Sequence, residues 1–336
     1  MTAPASTDSL ATALIPFDTG AHVTAAAFLG DTPALALGDG SVLLGHGADA
    51  RRVDAHPGGA VLAAAAGKAR LITGGDDGRV VAVGPDGHVE EIASEKGRWI
   101  DAVATRADGA LAWAAGRSVT SRSAKGEIKS MVAPSSARGL AFAPKGYRLA
   151  VAHYNGVSLW YPSTGAPAEA LTWKGSHLDV TFSADGRFVV TSMQENALHG
   201  WRLADGQHMR MQGYPAKTRS LAWSHDGAWL ATSGADACIV WPFDSKTGPM
   251  GKTPRECGVR PVRISQVAFH PRALVIAVGY EDGFVLLCRL SDASEILIRK
   301  GRDSPDDAVT ALAWSLDGRR LLLGTATGQA GLLDLP

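Results

Sequence analysis

Residues 219–241 read RSLAWSHDGAWLATSGADACIVW, and this stretch decides the fold. It holds three short apolar runs separated by two turn signals, at 225–227 (HDG) and 234–236 (GAD). Asp and Gly tolerate the backbone angles that a tight reversal of the chain needs. The apolar residues have no helical period. The stretch therefore predicts three short strands, over 220–223, 229–232 and 238–241.

The same pattern recurs along the whole chain. In each copy an anchor residue such as Trp223 follows an aliphatic and a small residue and precedes a turn. Strong copies read LAFAPKG, VTFSADG, VAFHPR and LAWSLDG, and weaker ones AAAFLGD, AAAAGKA and AVATRADG. The anchors are Phe28, Ala66, Thr105, Phe142, Phe182, Trp223, Phe269 and Trp314. Their mean spacing of about 41 residues is typical of the four-stranded blades of a β-propeller.

The chain resembles WD-repeat β-propellers over nearly its whole length. The matching features are the strand and turn [LV]-A-[FW]-[SA]-x-D-G, the small polar ending of the second strand at 232–234, and third strands that end at Trp160, Trp201 or Trp241. The chain departs from the family because it has no WD dipeptide, and the Gly-His pair before the first strand survives only loosely, at 20–22 and 175–177. The resemblance implies an all-β, single-domain propeller whose Asp-His-Ser/Thr-Trp hydrogen-bond tetrad is incomplete in most blades.

The spacing favours eight four-stranded blades, with seven as the alternative if a weak copy near Ala66 or Thr105 is a false repeat. We prefer eight because both weak copies are followed by later strands of their own. We number the repeats one to eight, and name the strands of each a to d from the channel outward. The repeats cover about residues 23–56, 60–98, 100–135, 137–176, 178–216, 218–262, 264–307 and 309–336.

The two ends of the chain complete each other. Residues 10–21 resemble a d strand without a blade in front of it, and repeat eight ends after its c strand. We therefore expect residues 10–17 to pair with residues 329–335, which closes the ring and removes an open sheet edge. Residues 1–9 are predicted to be a frayed tail and residues 10–336 to be the single propeller domain.

Composition excludes several classes of protein. Lys plus Arg and Asp plus Glu both number 33, so no global charge favours nucleic acid or a membrane. Three cysteines form no disulfide framework and suit a reducing compartment. No apolar run is long enough for a membrane-spanning helix, and no basic residue of a signal peptide precedes Arg51. We expect a cytoplasmic protein that is a monomer when alone.

The three cysteines are expected to differ in reactivity. Cys238 and Cys288 fall at or beside c strands, where a buried thiol is poorly reactive, whereas Cys257 falls in a long loop between strands. Cys257 is therefore predicted to be the one thiol that a mild alkylating reagent labels.

Partner-binding residues are expected on the face that carries the d-to-a connections. In WD-repeat propellers the position four before each anchor borders the mouth of the central channel, and here it includes Asp101, Arg138 and Arg219. Aromatic residues with arginine are typical of interface hot spots, and several fall in the d-to-a connections. These are Trp99, Trp173, His177 and Tyr214. The alternative is that Trp99 and Trp173 only cover the ends of neighbouring blades.

The longest connection is interpreted as a d-to-a loop over residues 244–263. It is basic, and its charge favours an acidic partner surface, although a solvated Pro/Gly-rich loop is the alternative. Its arginines are Arg255, Arg260 and Arg263.

Motifs for catalysis and metal binding are absent from the sequence. It lacks G-x-x-x-x-G-K-[ST], G-x-S-x-G, H-E-x-x-H, G-x-G-x-x-G and paired C-x-x-C, and its Asp-Gly pairs are turn signals with no helix behind them. We therefore predict no catalytic residues, no metal and no cofactor. The predicted function is a non-catalytic scaffold that binds another protein. The alternative is a propeller enzyme, or a small-molecule or metal binder, that uses polar groups in the channel.

Overall fold

A computed structural model describes residues 8–301 and 306–335. Apart from one 3-10 turn at Gly47–Asp49, regular structure in these residues is β-strand. The first half of the chain forms β1 (Asp8–Ser9), β2 (Leu14–Asp18), β3 (Val23–Leu29), β4 (Thr32–Leu37), β5 (Ser41–Leu44), β6 (Arg51–Asp54), β7 (Val61–Ala66), β8 (Leu71–Gly75), β9 (Arg79–Val83), β10 (Val89–Ser94), β11 (Ala102–Thr105), β12 (Leu111–Ala115), β13 (Ser118–Arg122), β14 (Ile128–Val132), β15 (Gly139–Phe142) and β16 (Leu149–Trp160).

The second half continues the same alternation of short strands and turns. It forms β17 (Glu169–Phe182), β18 (Phe188–Met193), β19 (Leu198–Arg202), β20 (Gln207–Met211), β21 (Leu221–Trp223), β22 (Trp229–Thr232), β23 (Cys238–Pro242), β24 (Arg255–Cys257), β25 (Ile264–Phe269), β26 (Val275–Tyr280), β27 (Val285–Arg289), β28 (Glu295–Arg299), β29 (Val309–Trp314), β30 (Arg320–Thr325) and β31 (Gln329–Asp334).

The strands form seven sheets, so the preferred count of eight blades is wrong and the alternative count of seven holds. The cause is not a false weak repeat, because repeats two and three each form a four-stranded sheet. Instead, repeats four and five share one six-stranded sheet in the order β15-β16-β17-β18-β19-β20. β17 covers 14 residues, from the d position of repeat four into the a position of repeat five, and pairs with β16 and with β18.

β16 supplies both the b and the c positions of repeat four. His153 Nε2 and Ser158 Oγ lie 3.0 Å apart, whereas five residues of extended strand would separate them by about 16 Å. The chain therefore reverses between them, and Asn155 and Gly156 there have φ of 69° and 143°. The eight copies of the sequence repeat are thus distributed over seven hydrogen-bonded sheets.

Every anchor residue lies in the a strand of its repeat, and these strands contact one another around the channel. Side-chain hydroxyls join neighbouring a strands to one another. Thr310 Oγ1 donates to Val23 O between repeats eight and one, which joins the two ends of the array. Similar bonds run from Thr24 Oγ1 to Val61 O (3.2 Å), from Ser220 Oγ to Val267 O (3.2 Å) and from Ser265 Oγ to Val309 O (2.7 Å).

The N-terminal strand closes the sheet of repeat eight as predicted. β2 pairs antiparallel with β31, in a register that runs from Leu14 opposite Leu333 to Asp18 opposite Gln329. Residues 8 and 9 of the predicted tail form β1, which pairs in parallel with β28, the outer strand of repeat seven. Residues 1–7 of that tail lie outside the described residues.

The core consists of apolar side chains between neighbouring sheets. Trp160 and Trp201 are each buried in one of its apolar clusters, and Trp223, Trp241 and Trp314 are partly buried against two others. These five tryptophans pack in the core. Within residues 8–301 and 306–335, no helix has the length and apolar character needed to span a membrane.

Candidate protein interaction site

A cavity of about 370 Å³ opens at one face of the disc, between repeats five and eight. The b-to-c turn of repeat five contributes Gln194 and Asn196, and the connection from β20 to β21 contributes Lys217 and Arg219. The a strands of the next repeats contribute Ser265 and Thr310, which occupy the position four before the anchor. Antiparallel alternation brings d-to-a connections and b-to-c turns to the same end of the blades, so this face is the one predicted for partner binding.

The cavity carries three cationic side chains and one carboxylate. Arg263 Nε lies 3.0 Å from Glu281 Oε2, and Lys217 Nζ donates to Gln194 Oε1 at 3.4 Å. The backbone N–H of Arg219 donates to Ser233 Oγ at 3.1 Å, which fixes the start of β21. Among residues 8–301 and 306–335, the exposed Arg219 guanidinium has no ion-pair partner. Lys217 has no ion-pair partner among the described residues either, so the exposed Arg219 and the half-buried Lys217 are the cations at this mouth that are available to an incoming carboxylate.

A second cavity, of about 700 Å³, lies on repeat three around Trp99, Asp101 and Arg117. The Trp99 side chain is 67% exposed. Arg138 Nη1 donates to Asp101 Oδ2 at 2.6 Å, so these two predicted site residues form an ion pair with each other. Arg138 does not line the first cavity, and the structure therefore divides the predicted site into two parts.

His177 and Tyr214 are buried, so the prediction that they present exposed surface is wrong. His177 Nδ1 lies 2.7 Å from Thr191 Oγ1, and its Nε2 lies 3.0 Å from the Trp173 carbonyl. Trp173 is itself partly buried, and its ring stacks on His199 at 4.0 Å between centroids. Trp173 therefore covers the junction of repeats four and five, as the alternative interpretation had it.

Tyr214 takes the place that histidine has in the family's hydrogen-bond tetrad. Its hydroxyl lies 2.7 Å from Thr232 Oγ1 and accepts a hydrogen bond of 2.7 Å from Trp241 Nε1. The sequence analysis missed this role because a polar aromatic residue in a connection was interpreted as exposed.

Repeat two contains another part of the tetrad that the sequence analysis overlooked. His56 is fully buried, with its Nδ1 3.0 Å from Asp77 Oδ1 and its Nε2 2.8 Å from Thr73 Oγ1. The sequence signal for this part of the tetrad was His56, five residues before β7, together with Asp77 in the turn after β8.

We expect Tyr214→Phe to lower the free energy of unfolding by about 1–3 kcal/mol, because it leaves the buried Thr232 hydroxyl and Trp241 indole N–H short of a partner. Tyr154→Phe is the matched control, since Tyr154 is 53% exposed. Urea unfolding of both variants measures the difference. Equal stability of the two variants would contradict the tetrad role of Tyr214.

The structure places residues 244–263 differently from the single d-to-a loop that the sequence analysis predicted. The short strand β24 divides residues 244–263, so residues 243–254 join c to d, and only residues 258–263 join d to a. The c-to-d part packs beside repeat five, where Arg187 in the a-to-b turn donates to the Ser245 carbonyl (3.4 Å) and Arg202 at the end of β19 donates to the Lys246 carbonyl (3.1 Å). It therefore lies on the face opposite the cavity, and the interpretation of the whole segment as a d-to-a loop is wrong.

The three arginines of that segment have different surroundings. Arg255 lies in β24, where its guanidinium is 4.5 Å from the Trp229 ring centroid. Arg260 lies 3.7 Å above the Phe284 ring and pairs with Asp282 at 3.1 Å. Of the three, only Arg263 lines the cavity.

The histidines of repeat five form a cluster behind this face. His199 is fully buried, and its Nε2 lies 3.0 Å from His208 Nδ1. Burial, and after it electrostatic repulsion from His208, His177 and Arg210 toward a protonated ring, lowers the pKa of His199 to about 3. The ring is therefore neutral in the folded protein at every pH above about 4.

This burial predicts a loss of stability in acid. Between the unfolded pKa of about 6.5 and the folded pKa of about 3, the unfolded state binds one proton more at His199, so the free energy of unfolding falls as pH falls, by about 1.4 kcal/mol per pH unit. His199→Phe keeps a ring stacked on Trp173 but removes the group that binds the proton. The free energy of unfolding of this variant should therefore fall less steeply as pH falls, by about 1.4 kcal/mol per pH unit. Chemical unfolding of both proteins between pH 7 and pH 4 measures it, and parallel curves would contradict the prediction.

Within the described part of the chain, no group of three or more His, Cys, Asp or Glu side chains is arranged to hold a metal ion.

Comparisons with known proteins match the last three repeats. Residues 208–241 match the family model of the WD domain, G-beta repeat, and residues 267–336 match that of the anaphase-promoting complex subunit 4 WD40 domain. These matches fall on repeats whose strands form propeller sheets. The chain belongs to the WD-repeat β-propeller family. Its missing WD dipeptides and substituted tetrads are departures within that family.

Other WD-repeat relatives are distant and longer. Mouse cilia- and flagella-associated protein 57 is 26% identical over 156 residues, which are 46% of this chain and 12% of the relative. WD repeat-containing protein 1-B of Xenopus laevis is 34% identical over 22% of this chain and 12% of its own. Human angio-associated migratory cell protein is 23% identical over 43% of this chain and 42% of its own. The alignments therefore cover less than half of each of these relatives.

A solved structure covers nearly the whole WD-repeat chain. The crystal structure of the computationally designed Ika8 protein superposes with a TM-score of 0.77 over 95% of this chain and 98% of its own, at 18% identity. At this identity the likeness concerns the fold alone.

Proposed function

We propose that this WD-repeat protein is a non-catalytic scaffold that binds a partner protein through the face carrying the d-to-a connections. The observation that carries the proposal is the exposed Arg219 guanidinium at the cavity of repeats five to eight. It has no ion-pair partner among the described residues, and Lys217 and Arg263 lie on the same wall. WD-repeat propellers in general bind other proteins, which supports this class of function.

The chemistry of the cavity selects an acidic segment of the partner. Three cations against one carboxylate leave a local positive charge on a protein whose net charge is zero. A volume of about 370 Å³ suits one or two side chains. An aspartate or glutamate side chain that enters the cavity would meet Arg219 in a partly desolvated site, where a charge-assisted hydrogen bond is stronger than on an open surface.

The surface around Trp99 is proposed as a second contact of the same partner. Its exposed indole offers the large apolar area that anchors interfaces, and the Asp101–Arg138 ion pair beside it belongs to a polar rim. Arg260 and Arg255 hold the d strand and its ends in place, and Arg263 contacts the partner from the cavity wall. We further propose that the chain acts in the cytoplasm, as a monomer until it meets its partner, and binds neither nucleic acid nor membranes.

Affinity capture from native extract tests the proposal. The wild-type chain, Arg219→Ala and Lys246→Ala serve as parallel baits, and mass spectrometry identifies the proteins that co-elute. Lys246 is exposed on the opposite face and is therefore the matched control. We expect a protein that wild type and Lys246→Ala retain and Arg219→Ala loses. Equal recovery by all three baits would contradict the proposed face.

A further inference from the structure

The three cysteines of the chain meet at the junction of repeats six and seven. Cys238 in β23 and Cys257 in β24 are directly opposite each other in an antiparallel ladder. Residues opposite each other in such a ladder have Cα atoms about 4.5–5.5 Å apart, which is within the range that a disulfide bridges. The two strands therefore hold this pair at a spacing that oxidation can join without movement of the backbone.

Cys288 approaches the same point from the next repeat. It lies in β27 of repeat seven, and a Cβ placed on Gly258, the residue after Cys257, would lie 3.4 Å from its Sγ. The three side chains belong to one apolar cluster, in which Cys238 and Cys288 are buried and Cys257 is partly exposed. Cys257 is therefore the most exposed of the three cysteines, and its two neighbours are covered.

The prediction that placed Cys257 in a loop is wrong, because the residue ends strand β24. Hydrogen bonds from the thiols of Cys238 and Cys288 lower the pKa of Cys257 and outweigh its burial. The same bonds, with burial, raise the pKa of Cys238 and of Cys288. The most exposed of the three thiols, and the one whose pKa is lowered, thus lies beside two covered thiols, which is the arrangement of a reactive cysteine with resolving partners.

We propose that Cys257 is a site of reversible oxidation by hydroperoxides, with Cys238 as the resolving cysteine. The Cys257 thiolate attacks one oxygen of hydrogen peroxide, the O–O bond breaks, and a sulfenic acid and hydroxide form. The Cys238 thiol then attacks the sulfenic sulfur, a disulfide forms, and water leaves as the thiol proton is taken up. The two thiols lose two electrons, and the peroxide is reduced to two molecules of water once the hydroxide is protonated.

Cys238 is the resolving residue because the ladder holds it directly opposite Cys257. A bond to Cys238 stays within the sheet of repeat six, whereas a bond to Cys288 would join two sheets. The inference concerns the thiols alone and is independent of the proposed binding function.

Titration with hydrogen peroxide at pH 7 tests the proposal, with free thiols counted after unfolding and peptides mapped by mass spectrometry. An ordinary thiol with a pKa of about 8.5 is about 3% ionised at this pH. A lowered pKa raises the thiolate fraction of Cys257 but lowers the nucleophilicity of that thiolate, so Cys257 should react within about threefold of the rate of a free cysteine and faster than the covered Cys238 and Cys288. The folded protein should lose two of its three thiols and yield a peptide that joins Cys238 to Cys257.

Single substitutions separate the three thiols. Cys288→Ser should form the same disulfide, Cys238→Ser should accumulate a sulfenic acid at Cys257 that dimedone traps, and Cys257→Ser should keep both remaining thiols. Melting curves identify the variants that fold, and Cys257→Ala repeats the test should the serine variant fail. Thiol loss that persists without Cys257, or a wild-type protein that keeps all three thiols, would overturn the proposal. A Cys257–Cys288 peptide would overturn the assignment of Cys238.

Discussion

Arg219→Ala is expected to weaken binding of the captured partner about 30-fold, which corresponds to about 2 kcal/mol. The Arg219 side chain lines the cavity of repeats five to eight and has no ion-pair partner among the described residues. Its removal therefore breaks no ion pair among those residues. The loss should therefore fall on the complex, and the stability of the free chain should stay unchanged. A binding titration at two salt concentrations measures the affinity, and a melting curve measures the stability.

Lys246→Ala is the control for that experiment. Lys246 is also an exposed cation, but it belongs to the c-to-d connection on the opposite face, where its backbone carbonyl accepts a hydrogen bond from Arg202. We expect its affinity for the partner to match wild type at both salt concentrations. If both variants weaken binding equally, the effect is one of general charge, and the cavity is not the centre of the interface.

Deletion of residues 1–18 is expected to lower the free energy of unfolding by roughly 4 kcal/mol or more, by analogy with the loss of buried apolar side chains. The deletion removes β2, and with it the ladder to β31 and the packing of Leu14 and Phe17 against the core. It also opens the edge of β31, and an open edge pairs with other chains. The truncated protein should therefore melt at a lower temperature and self-associate.

Deletion of residues 1–7 is the control, because it leaves both N-terminal strands in place. Calorimetry and analytical ultracentrifugation of the two truncated proteins distinguish the ladder from a general effect of shortening. If the protein that lacks residues 1–18 melts at the same temperature as wild type and stays monomeric, β2 does not close the array.

The repeat and its closure could be predicted from the sequence because they rest on local patterns. An anchor such as Trp223 recurs with a turn behind it, and the two chain ends carry complementary parts of one repeat. The number of sheets could not be predicted in the same way. The number of sheets depends on whether hydrogen bonding is interrupted between the d strand of one repeat and the a strand of the next. Around Gly175, nothing in the residues WKGSHLDV distinguishes one strand from two.

The position of residues 244–263 was mistaken for a related reason. β24 is only three residues long, and REC has no alternating pattern that marks a strand. Because each additional strand reverses the chain, a missed strand transfers the connection before it to the opposite face. This is why Lys246 and Arg263 lie on different faces although they are close in sequence.

The candidate site could be predicted only in part. Arg219, Ser265 and Thr310 were accessible to sequence analysis because they share a repeat position, and all three line the cavity. Lys217 and Glu281 were missed because they lie on connections that share no repeat position with them. Tyr214 was placed in the right connection, whereas His177 lies within β17. The burial of both depends on hydroxyl partners in neighbouring strands that the sequence does not pair with them.

Hydrogen exchange of the chain with and without its captured partner tests the central claim most directly. Binding at the cavity should slow exchange of backbone amides at 194–196, 216–220 and 263–266, which surround it. The c-to-d connection at 244–254 on the opposite face should exchange at the same rate in both samples. Protection confined to residues 244–254, or to the outer strands, with unchanged exchange around Arg219, would contradict the account.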